Sequence, residues 1–275
     1  MKKLFLIIPF LFLGCANKTD TQINKKIKEK QLESKILSEY QISKGALTKI
    51  GDYYYFYMPN SNGIAIYKLN KNYQLIQKKI VKKLIEGHKL TSNGKNIYLL
   101  GYDQTKNMPI LITFDKNLNI KSAKYFGHKF DIPQDMTGEK NPTILLITYK
   151  NGSDIEIYKN GKLSVFKEKN KQLPKFIKPF NGGYIIVGSE QHPGEDLFII
   201  FVKNNKIKWA KLYDFGMEDS PIDVKVLKDK IKIKVISQDY MGAEKYIDIE
   251  LDKNGKIIKH KKELEFKQLP VKFRT

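Results

Sequence analysis

The chain has 275 residues and 41% hydrophobic content, enough for one large core or two small ones and too apolar for a chain disordered throughout. Fifty basic residues stand against 29 acidic ones, a formal charge of +21, yet Arg274 is the only arginine. Sequence-reading nucleic-acid proteins rely on the rigid guanidinium fork, so a charge carried by lysine argues against a nucleic-acid partner; it fits solvated strand faces or diffuse attraction to anionic lipid or polymer.

Taken in chain order, Met1-Lys2-Lys3 is a positive start. Leu4 to Leu13 is an apolar run too short to span a bilayer and of the right length for a signal-peptide core. Leu11-Phe12-Leu13-Gly14-Cys15 follows, with Phe12 and Leu13 where the commonest pattern has Leu and a small residue. This segment resembles the lipobox of bacterial lipoproteins. The resemblance implies a signal peptide over residues 1–14, cut before Cys15, and a mature cysteine carrying diacylglycerol and a further acyl chain such as palmitate. Several acyl chains on one residue hold stably in a membrane, because each buried methylene contributes about 0.8 kcal/mol and a single chain is marginal. Ala16 follows, and the absence of Asp there resembles lipoproteins sent to the outer membrane, facing the periplasm. Cys15 is the sole cysteine, so no intramolecular disulfide can form.

Residues 15–43 read as the lipidated N-terminus and a polar, partly helical tether, with a thin apolar stripe at Ile23, Ile27, Leu32 and Ile36. A basic segment lying on the lipid surface and a helix docked on the domain are the alternatives.

From residue 44 to 275 the chain repeats. Gly182 to Tyr213 shows the unit best, as three strands rich in β-branched and aromatic residues separated by turn-formers. Outer strands recur at Gln74–Lys78, Asn119–Ala123, Lys162–Phe166, Lys206–Ala210 and Lys256–His260, and their anchors Leu75, Ile120, Leu163, Ile207 and Ile257 are spaced by 45, 43, 44 and 50 residues. Second strands are predicted at Tyr53–Tyr57, Ile97–Tyr102, Thr143–Tyr149, Tyr184–Gly188 and Ile231–Ile236. Third strands are predicted at Gly63–Leu69, Pro109–Phe114, Asp154–Tyr158, Leu197–Val202 and Tyr246–Leu251, with Asn- and Gly-rich turns leading into the outer strands. A period of this size is that of β-propeller blades. The expected fold is therefore all-β, a β-propeller of five four-stranded antiparallel blades, with six as the alternative if Leu37–Ser43 also contributes. Lys267–Thr275 reads as one more first strand that pairs into the first blade and closes the ring. Gly182 to Gly188, Asp196 and Trp209 together resemble a bacterial propeller repeat, which bears on fold rather than activity.

Innermost strands are announced by Asp131-Ile-Pro-Gln-Asp135 and its copy Asp219-Ser-Pro-Ile-Asp223, and Gly87-His88-Lys-Leu90 is echoed by Gly127-His128-Lys-Phe130. Proline suits the start of a strand, where a missing N–H is tolerated. The candidate channel or rim residues are Asp131, Asp135, Asp219, Asp223, His88 and His128. Two carboxylates facing one another, Asp135 and Asp223 first, suit acid–base work on a glycoside or a cation held by oxygen; turn aspartates that cap the backbone are the plainer reading. His88 and His128 lack the ligand spacing of a metal site, His192 and His260 fall in a turn and an outer strand, and no metal, cofactor or catalytic residue is expected. Trp209 is expected to pack between blades, and Tyr53 to Tyr57 to alternate between the two sheet faces. Glycine-flanked serine elbows, phosphate loops and zinc-protease motifs do not occur in the sequence. The expectation is a lipid-anchored envelope propeller acting as a noncatalytic binding or scaffold protein for a protein partner or an anionic envelope polymer. The alternative is a glycoside hydrolase with its carboxylates in the channel.

Overall fold

The computed structural model describes residues 18–61, 63–83, 85–148, 154–167, 170–191, 193–260 and 266–269. The signal-like segment, Cys15 and His192 lie outside the described residues. The chain divides into two compact units, residues 1–44 and 45–275. In the first, Lys18–Glu39 forms one helix, α1, longer than the short helix the sparse apolar stripe predicts. Among the described residues, no helix is long and apolar enough to cross a membrane.

The second unit is all-β. Its strands follow in chain order as meanders, each strand antiparallel to the one before. The first is β1 (Leu47–Ile50), β2 (Tyr53–Asn60), β3 (Gly63–Leu69) and β4 (Leu75–Lys82). The second is β5 (Ile85–Ser92), β6 (Ile97–Asp103), β7 (Met108–Phe114) and β8 (Ile120–Tyr125). The third is β9 (Ile132–Met136), β10 (Ile144–Thr148), β11 (Asp154–Lys159) and β12 (Lys162–Phe166). The fourth comprises β13 (Lys171–Phe180), β14 (Gly183–Gln191), β15 (Glu195–Lys203) and β16 (Lys206–Asp214), and the fifth β17 (Glu218–Val226), β18 (Ile231–Gln238), β19 (Glu244–Leu251) and β20 (Ile257–Lys259). The last two are joined into one larger sheet by a single parallel pairing of Glu195 with Glu218. Innermost strands lie side by side in sequence, β1 on β5, β5 on β9, β9 on β13 and β13 on β17.

The core sits in the seams between successive meanders. Ile185, Val187, Leu197, Ile199 and Phe201 of the fourth face Ile231, Ile233, Val235, Ile247 and Ile249 of the fifth. The intervening residues Ile186, Phe198, Ile200 and Val202 point the other way, onto Leu145, Ile155 and Ile157 of the third. Strands buried on both faces read as continuous apolar runs, as Tyr184–Gly188 and Leu197–Val202 do. Each such side chain contributes about 1.5–3 kcal/mol relative to exposure, an upper figure because unfolded chains already bury some surface. Two-sided burial also governs Tyr54, Tyr55, Phe56 and Tyr57, all buried, while Tyr53 at the start of the run stays 40% exposed with Lys68 Nζ over its ring.

Seams are locked by one recurring contact. Trp209 of β16 donates from Nε1 to the Lys253 carbonyl in the β19–β20 turn at 3.1 Å, and Gln77 of β4 donates from Nε2 to Asn117 O in the β7–β8 turn at 2.8 Å. Both donors lie two residues past the outer-strand anchors Ile207 and Leu75, and Trp209 packs between meanders as expected. The receiving turns are built alike: Asp115 Oδ1 accepts from the N–H groups of Asn117 and Asn119, and Asp252 Oδ1 from those of Asn254 and Lys256.

Two expectations are corrected. Lys267–Leu269 forms a strand, β21, but it pairs antiparallel with the far end of β16, Leu269 opposite Leu212, rather than with the first meander. Aromatic capture explains the choice: the Phe266 ring lies 5.9 Å from Tyr213, 5.7 Å from Phe215 and 5.4 Å from His260. Leu37–Ser43 supplies no strand, being the end of α1 and the turn after it.

Candidate functional site

Four innermost strands share a bulge. One extra residue, His88 in β5, Gln134 in β9, Lys175 in β13 and Ile222 in β17, stands unpaired opposite the second strand. The residue before it is Gly87, Pro133, Pro174 or Pro221, and the residue after it is Lys89, Asp135, Phe176 or Asp223. A bulge bends and twists its strand and re-aims the next side chain. Lys89 and Asp135 are thus counterparts in adjacent meanders, and they meet: Lys89 Nζ lies 3.1 Å from Asp135 Oδ1. From the other side Lys178 Nζ reaches Oδ2 at 2.6 Å, and the Ile177 N–H donates to the same oxygen at 3.0 Å. Asp135 is therefore a buried clasp across β5, β9 and β13, held between two ammonium groups. Asp223 occupies the same place in β17 but keeps about a quarter of its side chain exposed, with Lys225 Nζ at 3.4 Å.

The leading aspartates of the two motifs are buried caps. Asp131 Oδ2 accepts from the His128 backbone N–H, and Asp219 Oδ2 from that of Phe215 at 2.7 Å. Gly127 (φ +67°) holds the loop before β9, where an added Cβ would come within 2.7 Å of Asp131 Oδ2. Around Asp131 gather His128, with Nδ1 at 3.4 Å from Asp131 Oδ2 and 3.7 Å from Glu156 Oε1, and the buried Glu156 of β11. Burial, and then the neighbouring Asp131 and Asp154, push the Glu156 carboxyl up to about 8. Asp219 rises to about 6, again by burial first, with the Phe215 N–H and Ser237 pulling it down and Asp214 pushing it up. Asp196, Asp214 and Asp219 form a second group, oxygen-only, with one oxygen from each within 4.8 Å of the others.

His88 and His128 are not counterparts. His88 is the bulged residue of β5, in the register of Gln134, while His128 lies in the loop before β9. The repeated Gly-His-Lys is thus a likeness of letters at two unlike places. Burial lowers the His88 pKa and keeps its ring neutral; Glu86 pulls weakly the other way.

Sequence reading missed a basic pocket at the ends of β11, β13 and β15. A cavity of about 480 Å³ is lined by Glu139, Lys159, Tyr184, Lys228 and the Asn181-Gly182 turn. A second of about 360 Å³ shares Lys159 and Tyr184 and adds Lys162, Lys203 and the Asn204-Asn205 turn. Lys159 Nζ donates to the Tyr184 hydroxyl, whose O–H donates to Glu139 Oε2 at 3.0 Å; Thr137 donates to the same carboxylate oxygen at 2.9 Å. The Tyr184 bond is the main cause of a raised Lys159 pKa, so this lysine stays charged. Four lysines line the two cavities against the single carboxylate of Glu139, itself occupied by three hydroxyl groups.

No protein-family profile matches the sequence, and no curated protein does. Among solved structures the chain is similar to a puromycin hydrolase (TM-score 0.49, 10% identity, 78% of this chain and 36% of that one). It is similar also to a prolyl endopeptidase (TM-score 0.49, 11% identity, 78% and 33%) and to a bifunctional GH43-CE protein of Bacteroides eggerthii (TM-score 0.29, 12% identity, 78% and 30%). The chain spans about a third of the length of these structures.

Proposed function

We propose that this protein is a five-bladed β-propeller, anchored through acyl chains on Cys15 to the bacterial outer membrane and facing the periplasm, that binds an anionic envelope polymer without catalysis. One observation carries the reading: Asp135, a carboxylate the hydrolase alternative would need, is buried between two lysines and a backbone N–H, whereas the accessible polar cavities are lined by Lys159, Lys162, Lys203 and Lys228. Lysine recognises carboxylate or phosphate as a point charge, which suits a repeating polymer more than one planar group. Five meanders, each begun by an innermost strand beside the last, support the blade count.

The buried pair Asp131 and Glu156 is the remaining support for a glycoside hydrolase. A pyranose ring cannot reach carboxylates that are 1% and 2% exposed, which weighs against that alternative. A protein partner has one specific observation in its favour: Tyr240, Met241 and Tyr246, on the β18–β19 hairpin, are 88%, 94% and 67% exposed.

The test is binding of polygalacturonate, with neutral dextran as control, to the full chain and to the Lys162→Glu/Lys203→Glu variant. Affinity for the polyanion should fall at least about tenfold in the variant and fall steadily between about 50 and 300 mM salt. Equal binding of dextran, or release of reducing ends from any glycan tried, overturns the reading. The anchor has its own test: the mass of the Cys15 peptide from membranes should exceed the unmodified value by a diacylglycerol and an acyl chain, and a bare thiol ends that half.

A further inference from the structure

We propose that His128, Asp131 and Glu156 form a binding site for one divalent first-row transition-metal ion. Two carboxylates and an imidazole nitrogen converge there, with one ligand atom from each residue within 4.8 Å of the others. The two edges from His128 Nδ1, 3.4 Å to Asp131 and 3.7 Å to Glu156, are close to the spacing of about 3.3 Å that a tetrahedral ion imposes on ligands bound at about 2.0–2.1 Å. Small side-chain adjustments close the remainder.

A second feature points to a ligand independently of the clustering. Asp131 Oδ1 and Glu156 Oε2 are buried and receive no hydrogen bond from a donor group among the described residues, while the two carboxyls lie within hydrogen-bond reach of one another. Buried acceptors are almost always satisfied, and two buried carboxyls within hydrogen-bond reach of one another are costly unless a proton or a metal ion lies between them. Lysine serves that purpose at Asp135, where two ammonium groups are bound; at Asp131 and Glu156 no lysine ion pair is found among the described residues. Access is provided by His128, whose side chain is 55% exposed and forms the outer wall of the group. An ion can therefore enter where a sugar cannot. The nitrogen donor selects the class, since calcium and magnesium prefer all-oxygen sets whereas zinc and its neighbours accept imidazole with carboxylate. The oxygen-only group at Asp196, Asp214 and Asp219 lacks that donor.

The site is separate from the lysine pocket, as Glu156 stands near the start of β11 and Lys159 at its end, so either assignment can fail alone. The experiment is calorimetric titration of the chelator-stripped full chain, carrying Cys15→Ala so that a thiol does not compete, with Zn²⁺ and separately with Ca²⁺. One Zn²⁺ should bind per chain and raise the unfolding temperature. Glu156→Gln and His128→Ala should each weaken binding at least about tenfold, while His88→Ala leaves it unchanged. Circular dichroism of each variant checks that the fold persists, and His128→Ala, at an exposed loop position, keeps the test valid if the buried substitution unfolds the chain. Absence of Zn²⁺ binding, tighter binding of Ca²⁺, or a folded His128→Ala variant with undiminished affinity overturns the proposal; the two carboxyls then share a proton instead.

Discussion

The third and fifth meanders begin with the same motif, Asp-x-Pro-x-Asp, and their two copies part company at the second aspartate. Asp131 and Asp219 both sink into the body and cap a backbone N–H three or four residues upstream. Asp135 is then buried between lysines, while Asp223 keeps about a quarter of its side chain exposed beside Lys225. The motif itself cannot explain this. The cause lies one meander earlier: β5 places Lys89 at the position after its bulge, where β13 places Phe176. A cation stands beside Asp135 and a phenyl group takes its register position before Asp223. The lesson is that in a repeat architecture a side chain's role is assigned by its counterpart in the neighbouring copy.

The sharpest way to break this comparison is to delete each acid. Asp135→Ala leaves two largely buried ammonium groups and the Ile177 N–H without their acceptor, and should destabilise the chain by about 3–5 kcal/mol, the range for half of a buried ion pair. Asp223→Ala removes a partly exposed pair and should cost about 0–1 kcal/mol. Urea unfolding of both variants reads the difference directly. Equal losses would show that the shared motif, and not the neighbouring strand, sets the energetics.

Much of the architecture was legible in the residues, because turn chemistry and two-sided apolar runs are local signals. Gly63–Leu69 and Lys162–Phe166 are strands with the bounds read from sequence, and the Asp115 and Asp252 turns explain why the spacing holds. The bulges were not legible. In four innermost strands one unpaired residue moves every later side chain relative to the residue before it, so Asp135, a channel candidate or turn cap by its sequence, meets Lys89 and Lys178, respectively 46 and 43 residues away in the chain. The echo of His88 in His128 misled because the same letters fall in the bulge of β5 and in the loop before β9. Lys159, Lys162 and Lys203 come together only through hairpin ends of two meanders, and nothing distinguishes them in a chain so rich in lysine. Glu156 gave no signal either; its partner His128 is 28 residues away, without the short spacing by which metal ligands are recognised.

Acidity separates the same two meanders by a smaller effect. With any metal removed by chelator, Glu156 holds its proton up to about pH 8 in the folded chain, against an ordinary value of 4.5, and Asp219 up to about 6 against 3.8. Both shifts are upward for acids, so between each ordinary value and each folded value the native state binds more protons than the unfolded one, and stability must fall as pH rises through that window. The third meander's window reaches about pH 8, whereas the fifth's closes near pH 6. Glu156→Gln should therefore flatten the decline between pH 6 and 8, and Asp219→Asn only the part below pH 6, each by an amount on the order of one to a few kcal/mol. Denaturation midpoints measured across pH 4 to 9 for the three proteins test this. A Glu156→Gln profile parallel to that of the unaltered chain above pH 6 would mean that Glu156 already ionises freely beside Asp131. A positive charge, with His128 the nearest source, would then have to be holding the pair together.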